Sequence, residues 1–203
     1  MASPKTLFFA AILVVFVSWV ARGRNAPRDI VRATCVHASY PNLCLRTLSA
    51  YTGPAITTPR DLAHAAVKIS LSHARSAAAK LASVKASAGA RRRERAALVD
   101  CVEQIGDSVE ELSRTLSALK RLRQSSGGGA AAEFRWELSN AETWVSAALT
   151  NEDTCLDGFE GIDGEIKTEV KKKITKVARV TSNALYMINR LDDTRGKPHT
   201  VDP

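Results

Sequence analysis

Residues 98–119 read LVDCVEQIGDSVEELSRTLSAL, and their spacing decides the fold class. Leu98, Ile105, Leu112 and Leu119 recur every seven positions, with Val102, Val109 and Leu116 as a second heptad series between them. Two such rows make the broad apolar stripe that a helix buries in a bundle. The same signal repeats on both sides of this stretch. Upstream, Leu62, Ala65, Ala66, Ile69, His73, Ala77, Leu81 and Val84 keep helical spacing. They follow a start at Thr58, Pro59 and Asp61: a capping threonine, a first-position proline and an acid in the first turn. Gly89 is expected to end that helix.

Downstream, Ser125-Ser126-Gly127-Gly128-Gly129 interrupts the chain as a flexible connection. A third helix is expected from near Glu133 towards Cys155, with Phe134, Leu138, Ala141, Val145, Ala148 and Leu149 inward. Gly158, Gly161 and Gly164 mark a loop, and a fourth helix runs from about Thr168 to Leu191. Its inward face carries Val170, Ile174, Val177, Thr181, Leu185 and Ile188. The prediction is an all-α fold, with an antiparallel four-helix bundle over residues 59–191. Residues 28–50 read as a preceding N-terminal α-hairpin whose two short helices meet at Ser39-Tyr40-Pro41. Proline suits a first helical position and drives the residue before it out of helical geometry. Residues 51–58 are a loop, and residues 194–203 a flexible tail.

The amino terminus has a different character. Lys5 precedes an apolar run from Leu7 to Val17, extended through Ala21, with a small-residue exit at Ala21-Arg22-Gly23. The run is short for a bilayer span, which needs about 20 apolar residues, and it fits a cleaved signal peptide over residues 1–23. Cleavage would leave residues 24–193 as one domain ahead of the tail, with no membrane attachment afterwards. Losing Lys5 and Arg22 and no acid lowers the formal charge from +8 to +6. A basic secreted protein is attracted to acidic polymers. Nucleic acid is such a polymer, but export argues against it.

An exported chain meets an oxidising compartment, so its four cysteines read as disulfide staples. Spacing alone leaves three pairings open. The short interval makes Cys35–Cys44 the natural local bridge, which leaves Cys101–Cys155 to clamp two neighbouring helices.

Catalysis would require a convergent set of polar groups, and none has motif-grade spacing. His37, His64, His73 and His199 are scattered, no metal site or cofactor motif emerges, and catalytic residues are not assigned. The basic run Arg91–Arg95 and Lys171, Lys172, Lys173 and Lys176 read as solvated surface, able to attract a polyanion. Trp136 and Trp144 read as packing residues. One constellation is sharper: Glu103, Asp107 and Glu110 place three carboxylates in one helical row. The long bridge would bring Thr154 and Asp157 close to it.

These pieces resemble the plant invertase and pectin methylesterase inhibitor family, secreted four-helix bundles preceded by an α-hairpin. The matching segments are Cys35 with Tyr40-Pro41-Asn42-Leu43-Cys44, then Ala97-Leu98-Val99-Asp100-Cys101-Val102-Glu103. The block Trp144–Phe159 and the run Ser182-Asn183-Ala184-Leu185 complete the pattern, which spans about residues 28–191. The resemblance implies disulfides joining first to second and third to fourth cysteine. It also implies a partner-binding set of Glu103, Asp107, Glu110, Thr154 and Asp157. The departures are Ile105, where many relatives carry an aromatic, and Gly106, where many carry alanine. The resemblance points to an extracellular protein of the apoplast and cell wall that forms a one-to-one complex with pectin methylesterase and occludes its pectin-binding cleft. An alternative partner is acid invertase. An alternative of another class is a basic wall protein in weak electrostatic contact with acidic pectin, without inhibition.

Overall fold

The computed structural model describes residues 30–84, 92–122 and 130–193. The expected signal peptide, Gly89, the glycine-rich connection and the tail lie outside these residues. Helix α1 occupies residues 30–35 and is followed by α2 (Pro41–Ser49), α3 (Pro59–Ala82), α4 (Arg92–Leu122), α5 (Ala130–Asp157) and α6 (Glu165–Asp193). Helices α3 to α6 form the expected square bundle: α3 packs beside α4 and α6, α5 beside α4 and α6, and α4 faces α6 across the diagonal. Helices α1 and α2 make the hairpin, and α2 rests on the α3–α6 side of the square. No helix among the described residues is long and apolar enough to cross a membrane.

The start of α3 follows from its sequence. Thr58 Oγ1 accepts from Asp61 N at 3.1 Å, while the Asp61 carboxylate accepts from Thr58 N at 3.1 Å, which closes a reciprocal capping box. Burial alone would raise the Asp61 pKa, but the bonds from Thr58 and Thr57 outweigh it and hold the carboxyl below its ordinary value. The end of α3 departs from expectation. The helix stops at Ala82, seven residues before Gly89, and the Ser83 hydroxyl donates to Lys80 O at 2.7 Å in the last turn. A serine side chain that satisfies a terminal carbonyl offers the backbone an alternative to continuing the helix.

Helix α4 corrects the reading of its stripe. Leu98, Ile105, Leu112 and Leu119 are buried as expected, but Val102, Val109 and Leu116 are half-buried flanks. The second core row is Cys101, Ser108, Thr115 and Leu122. Together they alternate by three and four, the seam of a left-handed helix pair. Ser108 and Thr115 are tolerated there because their hydroxyls donate, to Glu152 at 2.7 Å and to Glu111 O at 2.9 Å. Opposite this seam α5 buries Leu138, Ala141, Val145 and Ala148. It begins earlier than Glu133, and α6 begins earlier than Thr168. Gly161 adopts φ +67° and Gly164 φ +157°, and a Cβ at Gly164 would collide with the buried Glu94 carboxylate.

Both disulfides take the expected pairing. Cys35–Cys44 closes the hairpin with a Cα–Cα distance of 5.5 Å, and Cys101–Cys155 joins α4 to α5 at 4.4 Å. Neither bridge ties the hairpin to the bundle. That contact has its own clasp: Asn183 of α6 is buried, its Oδ1 accepts from Tyr40 N at 2.9 Å and its Nδ2 donates to Tyr40 O at 3.1 Å. One amide thus satisfies both backbone groups of the residue preceding Pro41.

Candidate functional site

The five partner-binding candidates are all exposed. Glu103, Asp107 and Glu110 stand on α4, and Thr154 and Asp157 on the last turn of α5. The Cys101–Cys155 bridge joins the two helices next to Glu103 and Thr154, and Asp107 and Glu110 follow about one and two turns further along α4, towards its middle. Val99, 66% exposed, heads the α4 row one turn before Glu103, an apolar side chain at the start of an acidic row. Gly106 lies within it, and a Cβ added there would meet no atom within 4 Å. Ile105, by contrast, is fully buried and belongs to the core rather than the exposed row.

The carboxylate row is partly balanced by its own neighbours. Glu110 pairs with Arg114 one turn on, and the Arg114 guanidinium lies 4.7 Å over the Trp144 ring of α5. Thr154 Oγ1 donates to Thr150 O at 2.8 Å, which leaves its hydroxyl only acceptor capacity towards a partner. Two further acids join the face. Glu111 accepts from Asn151 Nδ2 at 2.9 Å across the helix pair; burial pushes its pKa up, the Asn151 bond draws it down, and Asp107 and Glu110 raise it again. The Asp153 carboxyl is also raised, by burial and then by the charge of Asp157. Each sits four residues from an acid already singled out, so the spacing that found Glu103 and Asp107 also contained them.

Beneath the face lies a group the sequence reading missed. Glu152 is fully buried, and its Oε1 accepts from Ser108 Oγ of α4 at 2.7 Å and from Thr181 Oγ1 of α6 at 3.0 Å. Its Oε2 has no hydrogen-bond partner among the described residues. Burial pushes the pKa up to about 8 from 4.5, against the two hydroxyl bonds, with small increments from Asp153 and Glu111. The side chain is therefore mostly a neutral acid at neutral pH. Its signal was positional: Ala141, Val145, Ala148, Glu152 and Cys155 follow one inward stripe of α5.

The remaining candidates separate. His64 and His73 share α3, and no group of metal-ligating side chains occurs among the described residues. Trp144 is half-buried under Arg114, whereas Trp136 is 68% exposed and does not pack as expected. The reason is the helical wheel: Trp136 lies two residues, about 200°, from Leu138, so it points away from the inward stripe on the outer surface of α5. Arg92, Arg93 and Arg95 are exposed at the start of α4, and Lys171, Lys172, Lys173 and Lys176 are exposed on α6.

Among the described residues, five helices after α1, stapled by two disulfides and charged on their outer faces, define a small disulfide-linked helical-bundle protein. More narrowly, the chain belongs to the plant invertase/pectin methylesterase inhibitor family, whose model matches residues 29–187. It is 66% identical over 205 residues to pectinesterase inhibitor 3 of Arabidopsis thaliana, with 99% of each chain covered. It is 38% identical to a 21 kDa protein of Daucus carota over 92% of this chain and 94% of that one. A solved mutant form of a pectin methylesterase inhibitor from Arabidopsis shares the fold, with a TM-score of 0.61 at 21% identity over 76% of this chain and 92% of that chain.

Proposed function

We propose that this chain is a secreted inhibitor of pectin methylesterase that docks through the acidic α4–α5 face and blocks access to the enzyme's pectin-binding cleft. The observation that carries the reading is the end-to-end identity of 66% with a pectinesterase inhibitor. The complex is one to one, with Glu103, Asp107, Glu110, Thr154 and Asp157 at the contact. Residues 1–23 direct export to the apoplast and are then removed. The face suits this role because the disulfide fixes its two helices before any partner arrives, which lowers the ordering cost of docking.

The test is inhibition of plant pectin methylesterase and acid invertase, measured side by side. The esterase is expected to be inhibited and the invertase not. Inhibition of the invertase alone would overturn the assignment. The triple variant Glu103→Lys, Asp107→Lys, Asp157→Lys is expected to lose inhibition while keeping its helical circular dichroism. Retained inhibition would place the contact elsewhere on the bundle.

A further inference from the structure

The side of the bundle away from the acidic face carries a second, oppositely charged surface. Between the hairpin and α6 an open groove of about 610 Å³ is lined by Tyr40, Pro41, Arg46, Lys172, Lys176 and Arg179, among others. It continues into a second groove of about 510 Å³ that shares Leu43, Arg46 and Lys176 and extends to Lys68 and His73 of α3. Among the described residues no carboxylate lines either groove. Its cations form no ion pair among the described residues, where the three ion pairs involve Arg114, Arg121 and Lys167.

The arrangement is a built one. Lys172, Lys176 and Arg179 follow the α6 stripe that ends, one turn on, at Asn183, which clasps Tyr40. The contact that seats the hairpin therefore also forms the groove wall. Arg179 lies 5.3 Å over the Tyr40 ring, which leaves its guanidinium fork for a planar anion. Like charges three and four residues apart on one helix repel, and the one acid at such spacing, Glu169 before Lys172, does not line the groove. Burial and the Lys176 charge also hold the His73 pKa below its ordinary value, so the positive field reaches the far groove.

We infer that this groove is a binding site for a carboxylate-bearing polysaccharide, laid across α6, α2 and α3. Its length across three helices fits an extended polymer better than a compact ion. The tyrosine, proline and leucine in its lining give sugar rings apolar surface between the cations. The site itself stands on the groove geometry, whereas the choice of de-esterified pectin as polymer rests on the proposed function. Because the acidic face lies on the α4–α5 side, polymer and enzyme would not compete for the same surface.

The experiment measures binding of the full mature protein to polygalacturonate and to highly methyl-esterified pectin over a salt series. Polygalacturonate is expected to bind, and the esterified polymer to bind at least tenfold more weakly. The variant Lys172→Gln, Lys176→Gln, Arg179→Gln is expected to flatten the slope of log affinity against log salt by about two, taking about 0.7 per charge as for a flexible single-stranded polyanion. The control Arg92→Gln, Arg93→Gln, Arg95→Gln removes equal charge elsewhere and is expected to bind like wild type. Absence of polygalacturonate binding, equal binding of the two polymers, or equal losses in both variants would overturn the site. So would preferential binding of phosphatidylserine vesicles over polygalacturonate. Esterase inhibition is measured separately on the groove variant and is expected to be unchanged, so the inhibitor reading and the groove stand or fall on different readouts.

Discussion

Glu152 makes an unusual demand on the pH dependence of stability. The folded protein holds a proton on this carboxyl up to about pH 8, whereas the unfolded chain releases it near 4.5. Between these values the folded state binds the extra proton, so raising the pH draws the equilibrium towards unfolding. The contribution is complete below the unfolded value and is lost as pH climbs through the folded one. At about 1.4 kcal/mol per pKa unit, it amounts to about 3–4 kcal/mol between pH 5 and pH 8. Other groups titrate too: Glu111, Glu142 and Asp153 are raised, which adds to the same trend, while His73 is lowered, which opposes it. The clean observable is therefore the difference between wild type and Glu152→Gln, followed by urea unfolding at several pH values. Glutamine can still accept from Ser108 and Thr181 but cannot ionise. Its amide places new donors where Oε2 already lacks a hydrogen-bond partner among the described residues, so the variant is expected to be about 1–3 kcal/mol weaker at pH 5. The two stability curves are then expected to converge and cross as pH rises towards 8. Parallel curves across that window would refute the reasoning and mean that Glu152 is ionised in the fold.

Other perturbations test the scaffold. Asn183→Ala removes both bonds to Tyr40 from a buried site; about 2 kcal/mol of stability should go, with faster amide exchange confined to residues 30–49. Gly106→Ala meets open space on an exposed helix and should raise stability by about 1 kcal/mol in thermal unfolding. If it also weakens inhibition, the docking partner approaches the bare backbone there. Replacing Cys101 and Cys155 by serine should cost about 4 kcal/mol in the chain-entropy model, measured by denaturant unfolding against the oxidised protein. Gly164→Ala should lower the melting temperature, because its methyl group collides with Glu94 at a backbone geometry that favours glycine.

Much of the architecture was legible because apolar spacing and capping act locally. Thr58, Pro59 and Asp61 announced the start of α3, and Leu98, Ile105, Leu112 and Leu119 announced the α4 stripe. The second row of that stripe was misread because hydropathy favours Val102 and Val109 over Ser108 and Thr115. For Ser108 the choice is settled by a partner 44 residues away, the Glu152 carboxylate, which Thr181 of α6 shares. No local pattern carries that information. The acidic face was legible as a row, but the pairing of Glu110 with Arg114 and the stacking of Arg114 on Trp144 depend on how α4 meets α5. The basic groove was hidden for the same reason. Lysines on α6 read as solvated surface until α2 is seen to form the facing wall of their open groove.

The two disulfides divide the molecule into covalent islands. One bridge stays within the hairpin and the other within the α4–α5 pair, so no cross-link spans the seam where α2 rests on α3 and α6. Lifting the hairpin would break the Asn183 clasp and an apolar contact, but no covalent bond. Opening of this kind is a subglobal event that costs less than unfolding the whole chain. The walls of the basic groove belong to different sides of that seam, whereas the acidic face lies within a single stapled pair. An oxidising environment therefore rigidifies one surface of the protein and leaves the other free to breathe.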